Sequence, residues 1–502
     1  MSIDTRAAPA APVMGSTAAE VGAGVADPRR WLALAVIAAS SLMVVLDASI
    51  VNIALPHAQA GLHISDADRP WVVTAYTLAF GGLLLLGGRI ADFVGRKRVL
   101  LIGLIGFAGA SALGGLAVNM AMLFGARALQ GAFAALLAPA ALSLIAVTFV
   151  APRERARAFG VYGAVQGGGG ALGLILGGVL TEYASWRWCL FVNVPIAIAA
   201  ALAALPTVRE SRADGDRHYD VPGALLVTAG LVALVFGFTE AARDGVGWLA
   251  APTLGLLVAA VALLLAFVVV EARTAHPLLP PRVVADRNRG GAFIASLLIG
   301  AGMFAMFLFL AYYFQVNLGY TPLTSGLAVL PFSGGIILTA MLAAALLPRV
   351  GPKPLMVVGM AMGTAGLLWL ARLDASSSWV WGVLPSEVVM SVGLGLVFVP
   401  LSSVALCGVA PRDAGVASAL LNTTQQVGGA LGVALLNTLY ASAVASYLAG
   451  RRPGPADARA VQIAGFLYGD RIAFIAGGCL LAAALLVTIV LIDAKTDTAP
   501  SG

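Results

Sequence analysis

The chain of 502 residues is 60% hydrophobic and only 11% charged, with a mean hydropathy of +0.94. A water-soluble globular domain is about 45–50% apolar, so a soluble fold is excluded and the chain is an integral membrane protein. The formal net charge of +6 comes from basic residues scattered through short polar segments rather than gathered in a stripe with interleaved aromatics, which excludes nucleic acid as a partner.

Residues 1–28 are rich in Ala, Pro and Gly and have no apolar core of signal-peptide type, so they are expected to be a disordered cytoplasmic tail. From Arg29 onward there are 14 apolar runs of roughly 19 to 27 residues, each able to cross a hydrocarbon core of about 30 Å as a tilted helix. They centre near Val44, Leu78, Gly109, Leu136, Leu172, Ile198, Gly230, Leu263, Phe304, Ile336, Met362, Gly393, Val427 and Leu481. The expected fold is all-α and membrane-embedded, and an even number of spans puts both termini on one side. Of the basic residues, 21 lie on the side of the termini and 8 on the other, with Arg127 left in the membrane. Basic residues favour the cytoplasm, so both termini are expected there, including the short tail 494–502. Cys189, Cys407 and Cys479 are each placed inside a span and far apart, which implies neither a disulfide framework nor a metal site.

The pattern Val94, Gly95, Lys97, Gly103 recurs as Val350, Gly351, Lys353, Gly359, a constant offset of 256. Applied to the whole chain, this offset lays spans 1 to 5 on spans 9 to 13 and leaves spans 7 and 8 as an insertion. The expected division is an N-terminal six-helix bundle at 29–206, a two-helix insertion with cytoplasmic tethers at 207–289, and a C-terminal six-helix bundle at 290–493. The second copy lacks one acid, because Asp92 maps to Pro348.

Taken in order, the first polar residue inside a span is Asp47, about nine residues and hence roughly 13 Å from an expected helix end at Pro56. Even a lenient insertion scale charges about 2.5–3.5 kcal/mol for it, so it needs a partner or a watery cavity, for a proton or substrate role or for a structural hydrogen bond. Gly88 to Arg98, between spans 2 and 3, packs Arg89, Asp92, Arg96, Lys97 and Arg98 into a short loop that must sit in water or at headgroups. Arg127 and Gln130 lie in span 4 at a depth close to that of Asp47, and a guanidinium there either compensates a carboxylate or bonds backbone carbonyls. In span 5, Gly163, Gly167, Gly170, Gly173, Gly177 and Gly178 recur at helical spacing beside Gln166, forming a flat face for a neighbouring helix. In the second half, Phe304, Phe307, Tyr312 and Gln315 suit a site for bulky apolar cations or neutral compounds, and equally suit lipid contact. Glu387 in span 12 is an unpaired acid, Asn422 and Gln426 in span 13 are candidates for cavity lining or helix fastening, and Glu240 is placed at the outer end of span 7.

The string Gly, Asp, Gly, Arg, Lys, Arg at 88–98 resembles the loop between the second and third helices of the major facilitator superfamily. LDASIVNIALP in span 1, RALQG in span 4 and the glycines of span 5 followed by SWRWCLFVNVP resemble that family's 14-helix drug–proton antiporter branch. One departure is Leu174, where the branch usually has a proline after the central glycine of span 5. The resemblance covers about residues 30 to 493. It implies two pseudo-symmetric six-helix bundles around a central cavity faced by spans 1, 4, 9 and 12, in a bacterial cytoplasmic membrane. It also implies proton-driven export of an amphipathic drug or antibiotic, with Asp47, Arg127 and Glu387 in proton coupling. Gln130, Gln166, Phe304, Phe307, Tyr312, Gln315, Asn422 and Gln426 would then line the substrate cavity. Gly88, Asp92, Gly95 and Arg96 would form a conformational latch, with Asp92 near the start of span 13 at Ala414. A cationic substrate would compete with the proton for Asp47.

No Walker loop or HExxH occurs, and His57, His63, His218 and His276 are all placed in loops. The chain is therefore expected to be a transporter and not an enzyme, with no cofactor, metal or nucleotide and with an ion gradient as its energy source. The expected partners are a small molecule, a proton and the lipid bilayer, with the chain as a monomer. Rival readings are a metabolite facilitator of the same fold without proton exchange, which fits Leu174, and a polytopic membrane enzyme or receptor. Nothing in the sequence names the substrate.

Overall fold

The computed structural model describes residues 29–493 except 67, 150, 213–219, 242, 244–245, 275–276, 278, 280, 410–413, 450 and 452–457; the expected tails at 1–28 and 494–502 lie outside the described residues. A bilayer offers backbone groups no water, so a long apolar run must satisfy its N–H and C=O groups internally, and each of the expected runs is a helix. The 14 spans are Arg30–Leu62, Trp71–Val94, Arg96–Gly115, Met120–Thr148, Arg153–Tyr183, Trp188–Thr207, Pro222–Ala241, Ala251–Arg273, Arg287–Asn317, Pro322–Val350, Pro352–Leu370, Trp379–Leu406, Val416–Leu448 and Arg459–Leu491.

Three sequence placements need correction. Span 1 does not stop at Pro56 but runs on to Leu62, which puts His57 inside the helix. A proline removes one helical hydrogen bond without having to end the helix, and the following turn is held by Gln59, which bonds to span 9. Cys407 lies just past the end of span 12, exposed, rather than inside it.

The helices approach through small residues, as expected where no hydrophobic force separates helix from lipid. Spans 2 and 4 meet so closely that a Cβ on Gly87 would strike the carbonyl of Ala135, and one on Gly131 the carbonyl of Tyr76. Spans 9 and 13 meet in the same way, Gly428 against the carbonyl of Leu297 and Gly300 against that of Gln425. The internal repeat is visible in the backbone. Gly95 ends span 2 at φ 121° and Gly351 ends span 10 at φ 81°, a left-handed region that glycine enters without a Cβ penalty. About two turns later Gly103 packs on Leu137 of span 4, and Gly359 packs on Gly393 and Val397 of span 12.

Spans 7 and 8 pack on each other as a hairpin, with Gly230 against Leu264 and Gly237 against Leu257. Span 7 then lies on both span 2 and span 13. There a Cβ on Gly82 would come within 2.8 Å of Thr228 Oγ1, and Thr438 Oγ1 donates to the carbonyl of Phe238 at 2.8 Å. Span 8 presents Val258, Val261, Leu265 and Val268 outward, as a lipid-facing helix does.

The hydrogen bonds described between residues 29–206 and 290–493 gather at one face, opposite the described chain ends. Arg69 Nε donates to Asn437 Oδ1 at 3.1 Å, Asn437 Nδ2 to the carbonyl of Asp66 at 3.0 Å, Gln315 Nε2 to the carbonyl of Ile53 at 3.0 Å, and the Leu323 amide to Glu182 at 3.0 Å. Tyr312 also donates to Gln59. The two halves are fastened there.

Candidate functional site

Asp47 stands midway along span 1 and is 0% exposed. Its Oδ2 accepts from Arg127 Nη1 at 2.6 Å, and its Oδ1 accepts from Gln130 Nε2 at 2.9 Å and Asn193 Nδ2 at 2.8 Å. The donors come from two other helices: Arg127 and Gln130 sit three residues apart on one face of span 4, and Asn193 opens the long stretch of span 6. Ser111 of span 3 closes the network by accepting from both Gln130 Nε2 at 2.6 Å and Asn193 Nδ2 at 3.0 Å. Arg127 has no lack of company. Its Nε donates to the carbonyl of Val72 at 2.9 Å, its Nη1 also reaches Gln130 Oε1 at 3.0 Å, and its guanidinium lies 4.4 Å from the centre of the Tyr76 ring.

The pair is neutral as a whole but each member is a full charge out of water. Such a pair persists because the remaining lone pairs and protons are also satisfied, and here all three polar neighbours of Asp47 donate to it. Protonating Asp47 would leave the Arg127 charge uncompensated in a dry site. In this conformation the two charges are thus held dry and compensate each other.

A second polar cluster lies at the fastened face. Arg69, only 2% exposed, sits with its guanidinium carbon 4.1 Å from the Tyr312 ring centre and 4.8 Å from that of Tyr440, and 3.6 Å from Asp66 Oδ1. Beside it is a cavity of about 460 Å³ lined by residues of spans 1, 9, 13 and 14 and of the loop after span 1, among them Tyr312, Asn317, Tyr440, Phe466 and Asp470. Asn317 Nδ2 donates to Asp470 Oδ2 at 3.4 Å.

Residues 37–433 match the family model of the Major Facilitator Superfamily. The chain is a major facilitator transporter. The puromycin resistance protein of Streptomyces alboniger is 49% identical, the match covering 94% of this chain and 93% of that protein. The cephamycin export protein of Amycolatopsis lactamdurans is 42% identical over 82% and 85%. Among solved structures, a bacterial homologue of the human lysosomal transporter Spinster, in an inward-facing and occupied conformation, superposes with a TM-score of 0.66 over 94% of this chain and 99% of that one at 15% identity. An auto-inhibited peptide transporter of the POT family does so with the same score at 18% identity over 94% and 99%. Both agree with an all-helical major facilitator fold.

In this transporter the other sequence-singled residues are dispersed. Gln130, expected in the substrate cavity, is instead fully buried in the Asp47 network between spans 1, 3, 4 and 6, because both of its donor hydrogens are taken by Asp47 and Ser111. Direct competition of a cation for Asp47 is likewise not available in this conformation, since Arg127, Gln130 and Asn193 occupy both carboxylate oxygens. Glu387 is 1% exposed near the start of span 12, in the other half, and neither of its carboxylate oxygens has a hydrogen-bond partner among the described residues. Tyr312 and Gln315 belong to the fastened face. Phe304 packs against Gly429 of span 13, and Phe307 stands edge-on to Phe332 of span 10 with centroids 5.3 Å apart. Asn422 is exposed and bonds back to the carbonyl of Ser418, whereas Gln426 abuts Gly81 of span 2 with its Oε1 buried and unpartnered. The side chains of Gln166 and Gly167 lie outside the described residues.

The span 5 glycines do form a face for a neighbour. Gly173 lies against Ser49 and the Leu46 carbonyl and Gly177 against Ile50, directly behind Asp47 on span 1. Gly178 meets Pro322 and Leu323 of the other half, and Gly163 faces open space. With Leu174 in place of a proline, the helix runs without interruption from Pro152 to Tyr183. At the charged loop, Gly88 is beside Pro139, and Asp92 Oδ1 accepts from Arg96 at 3.0 and 2.8 Å. The anion at the N-terminus of span 3 is Glu210, which accepts from the amides of Lys97 at 3.1 Å and Arg98 at 3.2 Å and abuts Gly95. Glu240 is paired with Arg243 at 2.7 Å. The expected docking of Asp92 near Ala414 borders residues 410–413, outside the described residues.

Sequence reasoning passed over Asn193, Ser111 and Tyr76, and also Asp470 and Asn437. An intramembrane polar side chain is costly wherever it stands, so Asn193, Asn437 and Asp470 carried the same signal as Asp47. Ser111 carried none, because a serine in a helix can satisfy itself on the preceding turn.

Proposed function

We propose that this protein exports an amphipathic organic compound of antibiotic type across the bacterial cytoplasmic membrane, in exchange for protons and by alternating access. The observation that carries the reading is the desolvated Asp47–Arg127 pair with its polar shell of Gln130, Asn193 and Ser111. Export against a gradient without nucleotide hydrolysis draws on an ion gradient, and in this reading the pair is a charge store whose loading demands a conformational step. The names of the relatives, puromycin resistance and cephamycin export, support an antibiotic-like substrate.

In this reading both termini are cytoplasmic, the fastened face is the outer one, and the halves 29–206 and 290–493 rock about it as a monomer, with 207–289 as the peripheral insertion. When the outer face opens, water reaches Arg127 and Asp47 takes a proton, which is given up as the face closes and the dry pair re-forms. The span 5 glycines transmit the step, because one helix face touches span 1 behind Asp47 and, at Gly178, the opposite half. Glu387 is the second candidate for a proton. Gln166, Phe304, Phe307, Asn422 and Gln426 are assigned to the substrate path, and Gly88, Asp92, Gly95 and Arg96 to the cytoplasmic latch.

The test is transport in proteoliposomes holding the purified full-length chain, with puromycin as the first compound and an imposed pH gradient. The wild type should accumulate drug against its gradient and stop on addition of a protonophore, and Asp47→Asn should only equilibrate it. Wild-type transport indifferent to the pH gradient would assign the chain as a facilitator instead, in keeping with Leu174.

A further inference from the structure

We infer that the C-terminal half carries an exit site for organic cations at the outer face, formed by Tyr312, Tyr440, Asn317 and Asp470, and that Arg69 of the other half fills it as a tethered substitute while the face is shut. The inference deepens the export reading and rests on its orientation of the membrane.

The geometry is that of an occupied aromatic cage. The Arg69 guanidinium lies over two tyrosine rings from two different helices, at 4.1 and 4.8 Å, within the roughly 6 Å over which a cation is held by a ring face. Arg69 is 2% exposed, yet its nearest carboxylate, Asp66, is a loop residue of its own half at 3.6 Å with a side chain 53% exposed. Its Nη2 is buried and has no hydrogen-bond partner among the described residues. The guanidinium is thus held by two rings and the Asn437 amide of the other half as well as by the acid of its own.

The partners divide cleanly between the halves. Tyr312, Asn317, Tyr440 and Asp470 are on spans 9, 13 and 14, whereas Arg69 and Asp66 precede span 2. Any movement that opens this face must withdraw Arg69 together with its bond to Asn437. What stays behind is two ring faces, a buried carboxylate and the amide of Asn317, whose Oδ1 is buried without a partner. They border a cavity of about 460 Å³, within the roughly 300–1,000 Å³ typical of small-molecule sites. An anion would meet Asp470 there and be repelled, and a neutral polar ligand would gain little from two ring faces. A bulky cation with apolar groups matches both, and Phe466 in the same wall extends the apolar surface. As the face closes again, Arg69 returns to the rings and displaces the cation outward, so release and closure are one event.

The test uses tetraphenylphosphonium, a permanent cation that carries no proton, with equilibrium binding to purified full-length protein. Arg69→Ala empties the cage and should bind the probe about tenfold or more tightly than the wild type. Adding Asp470→Asn or Tyr440→Ala to Arg69→Ala should return affinity to the wild-type level, whereas Tyr440→Phe, which keeps the ring face, should not. Thermal unfolding of each variant identifies any that fail to fold, and Arg69→Lys serves as a folded variant that retains a tethered cation and should bind as the wild type does. Equal affinity of wild type and folded Arg69→Ala, or a gain that survives Asp470→Asn, would overturn the exit site. The measurement needs no gradient, so failure of proton-coupled export in proteoliposomes is read separately.

Discussion

Replacing Asp47 by Asn removes one charge from a pair whose side chains are 0% and 1% exposed, and leaves the shape of the site nearly unchanged. Removing one partner of a buried pair costs about 3–5 kcal/mol, mostly because the other charge is stranded. The stranded group is Arg127, which retains the Val72 carbonyl, Gln130 and the Tyr76 ring, so the loss should fall near the lower end, about 3 kcal/mol. Neutralising both with Asp47→Asn/Arg127→Gln removes the stranded charge, and the double variant should be more stable than the single one, with a coupling of about 2 kcal/mol or more. Thermal unfolding of the purified protein in detergent, followed by tryptophan fluorescence, measures the order. An Asp47→Asn protein as stable as the wild type would show that water or another anion already compensates Arg127, and the dry charge store inferred for this conformation would be wrong. A double variant less stable than the single would refute the stranding argument itself.

Glu387→Gln replaces a buried carboxyl that has no partner for either oxygen, so it should leave stability unchanged within about 1 kcal/mol or raise it, by the same unfolding assay, while altering the pH profile of transport if Glu387 carries a proton. Gly131→Ala drives a methyl group into the Tyr76 carbonyl at the crossing of spans 2 and 4; the expected cost is about 1–3 kcal/mol or failure to yield a monodisperse peak on size exclusion. Glu210→Ala uncaps the N-terminus of span 3 and should cost about 0.5–2 kcal/mol, seen as faster hydrogen exchange at the Lys97 and Arg98 amides with transport of the folded protein retained.

The helices were legible because hydrocarbon imposes one rule on every span, and a run such as 251–273 admits no other reading. The pairing of Asp47 with Arg127 was legible from depth along two helices, since a buried acid and a buried base at one level leave few alternatives. The members of the network on other helices were not. Asn193 and Ser111 lie on spans 6 and 3, and which helix face turns inward depends on packing that neither depth nor spacing encodes. Gln130 was placed in the cavity for the same reason, although a position three residues from Arg127 on one helix face already favoured company with Asp47. The end of span 1 was misread because Pro56 looks like a stop in isolation, whereas a docked following turn carries the helix through it. The cluster at the fastened face escaped because Arg69 follows a polar loop, and only the folded chain shows that a loop arginine is roofed by two tyrosines from the other half.

Span 7 touches span 2 on one side and span 13 on the other, so the insertion covers the lipid-facing seam where these two helices meet. The opposite seam, where span 5 meets span 10, has no such cover among the described residues. A greasy compound dissolved in the bilayer therefore finds one flank of this transporter shuttered and the other bare. The added hairpin makes an approximately two-fold molecule one-sided towards the membrane.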